Sequence, residues 1–266
     1  MKPLAGAAYG VFPPANRTFL QPEIGVTSIQ SKYKYLGVWA ILCVLVIHLP
    51  YLRAAVRVIN DGAPGQNSAE LDARVGDSLD RYHPQIVVLF IGMNDAVNDR
   101  KLLTPDVTED HVRSMVRQAK MSGAKVVLVT VHQPDMTRLL QRHRIEAYGS
   151  TSPQERIESL NRVLISIAEE QAATLADFNR KMKDAGGPTP TLSPDGVHLN
   201  AKGYKLLART VKDAMPGAIR RDATILCVGD SLTYGIGVRK PNQKEEGQDT
   251  YPAQLRNMIR CSRSGP

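Results

Sequence analysis

The sequence predicts a three-layer α/β domain, with helices on both faces of a mainly parallel sheet. Three observations carry that expectation. The run at 86–91 is fully apolar and that at 223–228 a short apolar run, rather than alternating, the pattern of strands covered on both faces. Stretches of helical periodicity, opened by capping residues or proline, separate them. Strand and helix then alternate along the chain, as parallel pairing through crossover helices requires.

Residues 1–34 mix Pro, Gly and polar side chains without a period, and they predict a loosely ordered lead-in. Residues 36–47 carry no charged or polar side chain. With 48–52 they approach the ~20 residues of a membrane span without clearly reaching it. Lys32 and Lys34 precede the segment, and Arg53 and Arg57 follow it. The lead-in is too long for a secretory signal. A short membrane anchor, an interfacial segment and a hydrophobic helix on the domain all stay open, and with them a membrane-associated or a soluble protein. We take 1–52 as an N-terminal extension and 53–266 as the domain.

The first strand is expected at 56–60. The Asp-Gly-Ala-Pro-Gly loop at 61–65 follows, and Asn67 or Ser68 caps a helix reaching Tyr82, broken by Pro84. After the strand at 86–91, Pro105 and Asp106 open a helix to Met121 that Gly123 stops. The strand at 125–131 leads into a long polar stretch, 133–152. Pro153 begins a helix to Ala173, and a short strand is expected at 174–177. Asn200 caps a helix to Ala214, and Pro216 and Gly217 punctuate before the strand at 223–228. Residues 251–259 read as a final short helix.

The chain has 266 residues, 42% of them apolar, enough for one good core or at most two small domains. The net charge is +8, but Lys and Arg are scattered rather than clustered with aromatics, which speaks against nucleic acid. Cys43, Cys227 and Cys261 are far apart and odd in number, so neither a disulfide framework nor a metal spacing is expected. Cys227 lies in an apolar run and reads as core packing. No His, Glu or Cys arrangement has metal-ligand spacing and no glycine-rich loop matches a phosphate cradle, so no cofactor is expected.

Gly229-Asp230-Ser231-Leu232 follows the strand at 223–228. A small, turn-prone segment at a strand's carboxyl end lifts a serine hydroxyl above the sheet, where a nucleophile is needed. Gly62 follows the strand at 56–60, Gly92-Met-Asn94-Asp95 that at 86–91, and Asp195 and His198 that at 174–177 by way of a loop. All four groups therefore belong at one sheet edge, where α/β folds bind ligands.

Together these blocks resemble the SGNH (GDSL-type) hydrolase family over residues 56–260. The resemblance implies a flavodoxin-like sheet. In the family the Gly-Asp-Ser block comes first, whereas here it comes last, so the resemblance implies a circularly permuted domain with a new linker at 215–222. The last strand should then lie between the strands at 56–60 and 86–91.

Within that resemblance Ser231 is the nucleophile, His198 its base and later the acid, and Asp195 the group that steadies the imidazolium. The oxyanion hole is assigned to the backbone N–H groups of Ser231 and Gly62 and the side-chain amide of Asn94. Asp230 and Asp95 are expected to brace these loops, and Thr233 and Tyr234 to line the entrance. Gly76-Asp77-Ser78-Leu79 repeats the same four letters, but inside a helix whose face is Leu71, Val75 and Leu79, and no strand precedes it. His83, His111, His132 and His143 are expected to be surface or structural, with His132, at the end of the strand at 125–131, pointing near the site. Arg138, Arg142, His143 and Arg144 form a basic cluster that either holds an anionic substrate group or is a solvated face.

The resemblance implies a serine esterase working without a cofactor. Its closest pattern is an O-acetyl esterase acting on carbohydrates. A lysophospholipase or thioesterase for longer acyl chains is the alternative, and a non-catalytic anchored binding module is the alternative of another class.

Overall fold

The computed structural model describes residues 55–239, 243 and 246–261. The apolar segment at 36–52, with its membrane and domain readings, lies outside them. Five strands form one sheet: β1 (Arg57–Gly62), β2 (Ile86–Phe90), β3 (Lys125–Val129), β4 (Thr174–Ala176) and β5 (Thr224–Gly229). The order is β1-β5-β2-β3-β4, and every pairing is parallel. The last strand in sequence thus sits between β1 and β2, with Gly229 in register with Gly62 on one side and Phe90 on the other. Counted with β5 first, the order is 2-1-3-4-5, that of a flavodoxin-like doubly wound sheet.

The helices are α1 (Ser68–Tyr82), α2 (Met93–Val97), α3 (Pro105–Met121), α4 (Met136–Leu139), α5 (Pro153–Glu170), α6 (Phe178–Asp184), α7 (Ala201–Asp213), α8 (Ser231–Tyr234) and α9 (Tyr251–Cys261). α1, α3 and α5 pack side by side as one layer, and α7 packs with α6 and α9 as the other. Every residue of β2 and β5 is buried, which is why neither strand alternates in polarity. Phe90 lies edge-on to Phe178 and Tyr251, with ring centroids 5.9 and 6.3 Å away. Cys227 is buried in this core, and burial pushes its thiol up.

The long helices begin where their caps predict. Asn67 and Glu70 close a capping box on α1, and Ser152 and Glu155 another on α5. Leu71, Val75 and Leu79 are the buried face of α1. α5 ends at Glu170, short of the expected Ala173. Ala172 turns left-handed (φ 45°), and the N–H of Ala173 reaches back to the Ala168 carbonyl. A helix stop built on alanine instead of glycine leaves no letter to read. The sequence predicts no helix at the short α2, α4, α6 or α8 for a related reason: one or two turns carry too little period.

Candidate active site

β5 delivers Ser231 through a crowded bend. A Cβ on Gly229 would lie 2.2 Å from Thr233 Oγ1 and 2.3 Å from the Phe90 carbonyl, so only glycine fits. The Asp230 carboxylate accepts the Leu232 N–H at 2.9 Å and caps α8, whose first residue is Ser231. From the other direction comes the loop between α6 and α7. Gly196 (φ 82°) packs against Asp135, and the turn presents Asp195 and His198 together. Asp195 Oδ1 accepts the N–H groups of Val197 and His198 at 2.9 and 2.7 Å.

The three side chains then meet. His198 Nδ1 lies 2.7 Å from Asp195 Oδ2, and His198 Nε2 lies 3.0 Å from Ser231 Oγ. With the Nδ1–H tautomer the imidazole donates to the carboxylate and accepts the serine proton, the arrangement a hydroxyl nucleophile needs. Burial raises the Asp195 pKa, but the hydrogen bond and charge of His198 and the two backbone donors outweigh it. The carboxyl ends well below the usual carboxylate range.

Asn94 stands at the end of β2, buried in α2. Its Nδ2 donates to the Gln66 carbonyl at 2.9 Å and to Asp230 Oδ2 at 3.3 Å. Asp95 accepts from the backbone and hydroxyl of Ser68 and from Thr108, bracing the loop before α1. Burial pushes the Asp230 carboxyl up to about 7, and raises that of Asp95 against its three donors.

Gly62 differs from expectation. Its N–H already donates to Asn60 Oδ1 at 3.0 Å, and α8 backbone fills the space beside its Cα, so it offers no open donor. Among the described residues the N–H groups of Ser231 and Gly65 have no hydrogen-bond partner. Gly65 (φ 79°) is the third residue of the turn Ala63-Pro64-Gly65-Gln66, closed by Gln66 N–H to the Ala63 carbonyl. It precedes the carbonyl that holds Asn94. The Pro-Gly pair, which favours a type II turn with positive φ at glycine, was the available signal.

The remaining candidates separate. Thr233 is fully buried beneath Gly229 and does not line the entrance. Tyr234 is half-buried, with the Arg239 guanidinium 4.1 Å from its ring centroid. His132 is fully buried, edge-on to Phe178, with Nε2 2.9 Å from the Val197 carbonyl. It supports the loop carrying His198. Ser78 lies within α1 and donates to Asp61 Oδ2 at 2.9 Å. In the basic cluster, Arg138 and Arg142 turn to the Asp195 loop, while His143 binds Asp99.

A model of the GDSL-like lipase/acylhydrolase family matches residues 48–206, ending before β5 and Ser231. Esterase TesA of Pseudomonas aeruginosa is 28% identical over 142 residues, 53% of this chain and 61% of that protein. The chain thus spans about three-fifths of that relative's length. An acetylxylan esterase of Geobacillus stearothermophilus is 27% identical over 172 residues, covering 60% of this chain and 72% of that one. Among solved structures, an alpha/beta hydrolase enzyme from the metagenome of Lake Arreo, Spain, shares the fold. Its TM-score is 0.51 at 20% identity, covering 66% of this chain and 79% of the other.

Proposed function

The chain belongs to the GDSL-like lipase/acylhydrolase family, and from that premise we propose that it hydrolyses carboxylic esters through an acyl-enzyme on Ser231. The observation that carries this reading is the continuous hydrogen-bonded line Asp195–His198–Ser231 at the sheet edge. Ser231 Oγ attacks the ester carbonyl as His198 Nε2 takes its proton. The same proton then goes to the leaving alcohol as the C–O bond breaks. Water, deprotonated by His198, attacks the acyl-enzyme; the bond to Ser231 Oγ breaks as His198 returns the proton to that oxygen, and the acid leaves. Asp195 stays ionised and compensates the imidazolium.

The tetrahedral oxyanion needs fixed donors, and losing one costs ~10²–10³ in turnover. The Ser231 N–H, the Gly65 N–H and the Asn94 amide suit this role. Gly65 replaces Gly62 because its N–H is open. Asn94 contributes by exchanging its bond to the Gln66 carbonyl for one to the oxyanion.

The substrate we infer is a short-chain ester, an O-acetyl group on a carbohydrate. The similarity to a protein named acetylxylan esterase supports that choice. The comparison of wild type with Ser231→Ala and Ser78→Ala tests the nucleophile. Ser231→Ala should lose at least ~10³-fold in kcat/KM on nitrophenyl acetate, and Ser78→Ala should keep it within a few fold. Full activity in Ser231→Ala would refute the assignment. Across nitrophenyl esters the rate should fall steeply beyond acetyl. A preference for long chains would favour the lysophospholipase or thioesterase reading instead.

We also read the block order as a circular permutation. It is supported by the place of β5 between β1 and β2 and by the loop between α7 and β5.

A further inference from the structure

The basic cluster at 138–144 is absorbed neither by the core nor by the three reacting side chains. Arg138 ties down the loop's backbone. It donates to the carbonyls of Ser193 (2.5 Å), Pro194 (3.1 Å) and Pro188, and pairs with Asp135 at 2.9 Å. Arg142, in the turn just past the end of α4, does something different. Its Nη1 lies 2.5 Å from Asp195 Oδ2, and its Nη2 donates to the Asp195 carbonyl at 3.2 Å.

Asp195 Oδ2 is therefore shared by two donors, Arg142 and His198. With the Val197 and His198 N–H groups on Oδ1, the carboxylate accepts four hydrogen bonds, its full capacity. It has no freedom left to rotate away from the imidazole. Sharing also has an electrostatic consequence. An aspartate beside a histidine favours the protonated ring, and a protonated ring cannot accept the serine proton. A cation on the same oxygen works against that.

We propose that Arg142 is a positioning residue for the triad, one that locks the Asp195 carboxylate and offsets its pull on the His198 imidazolium. The proposal rests on the esterase reading, in that it gives His198 the role of base. Arg142 thus acts, through the shared carboxylate oxygen, on the group that must accept the serine proton. The other ionisable groups around the ring do not supply this charge. His132 is buried and neutral near pH 7, held by the Val197 carbonyl. Asp230, at the start of α8, can only add negative charge. Tyr204 on α7 keeps its hydroxyl, donating to the Ile236 carbonyl at 2.7 Å. In the segment after α8, Arg239 faces the Tyr234 ring.

The experiment compares wild type, Arg142→Gln and Arg142→Lys. Arg142 is partly exposed, with 39% of its side chain accessible, and Arg138 still ties the loop, so the variants should fold. Two readouts are needed: the pH profile of kcat/KM on nitrophenyl acetate, and NMR titration of the His198 imidazole, assigned with His198→Gln. In Arg142→Gln the acid limb and the His198 midpoint should both move up by about half a unit to one unit, as expected for a cation a few ångströms away in a solvent-like dielectric. At pH values on that limb the variant should be ~3–10-fold slower. Arg142→Lys, which keeps the charge, should return both midpoints toward wild type. A His198 midpoint unmoved in Arg142→Gln overturns the proposal, including when turnover falls equally at every pH, the mark of mere bracing. If the protein hydrolyses no ester, the esterase reading fails on the rate arm, and the His198 titration still decides the role of Arg142.

Discussion

Acid should destabilise this protein in good part through His132. The ring is fully buried against Phe178, with Nε2 on the Val197 carbonyl and Nδ1 without a hydrogen-bond partner. Burial lowers its pKa from the ordinary 6.5 to about 4, against the opposing pull of the Val197 carbonyl. Between those values the unfolded chain binds a proton that the folded chain does not. Stability from this group is therefore complete above pH 6.5 and is lost as the pH falls towards 4. The shift corresponds to about 3 kcal/mol in all, of which about 2 kcal/mol should disappear between pH 7.5 and 5. Replacing the ring with a side chain that does not titrate removes this dependence. His132→Gln keeps an N–H donor for the Val197 carbonyl but loses the ring contact, at about 1–2 kcal/mol independent of pH. Urea unfolding of wild type and His132→Gln at pH 7.5 and pH 5 measures the difference, with all other titrating groups common to both. The stability gap between them should narrow or reverse by about 2 kcal/mol at pH 5. Parallel losses in the two proteins would refute the reasoning.

Gly62, at the end of β1, and Gly65, in the turn after it, should respond differently to a methyl group. Gly62→Ala puts a Cβ 2.0 Å from Tyr234 N, within the backbone that carries Ser231, so a loss of about 3 kcal/mol or failure to fold is expected. Gly65→Ala meets nothing within 4 Å and bears only the strain of φ 79°, about 1 kcal/mol. Thermal melts separate them, and equal losses would contradict the account. A gene reordered to run 222–266 and then 53–214 should fold with the same circular dichroism spectrum and match the parent chain's rate on nitrophenyl acetate within about tenfold. An unfolded product would count against the permutation.

Much of this molecule was legible in local letters. The strands at 86–91 and 223–228 show themselves because continuous apolar runs suit strands with two covered faces. The helix starts at Asn67, Thr104, Ser152 and Asn200 are set by side chains that accept the first free N–H groups within three residues. Asp195 and His198 could be paired from sequence because only three positions separate them. Ser231 was separated from its decoy at Ser78 because the two local contexts, strand end and helix face, differ.

Tertiary structure alone decided which donors are open and which charges are shared. Gly62 and Gly65 are both loop glycines in the sequence, and what distinguishes them is the Asn60 side chain, which occupies one N–H and leaves the other. Arg142 lies 53 positions from Asp195, and its cluster read as readily as a solvated face until the fold laid it on the carboxylate. Hydrogen bonds are competitive: each donor and acceptor is satisfied by whichever partner arrives in space. Caps and apolar runs are fixed by neighbours in the chain, so the sequence by itself determined the strands and the helix starts, and the candidate triad came from the family resemblance of its motifs. The open N–H groups and the cation behind Asp195 depend on neighbours that only the packed sheet, with β5 between β1 and β2, brings together.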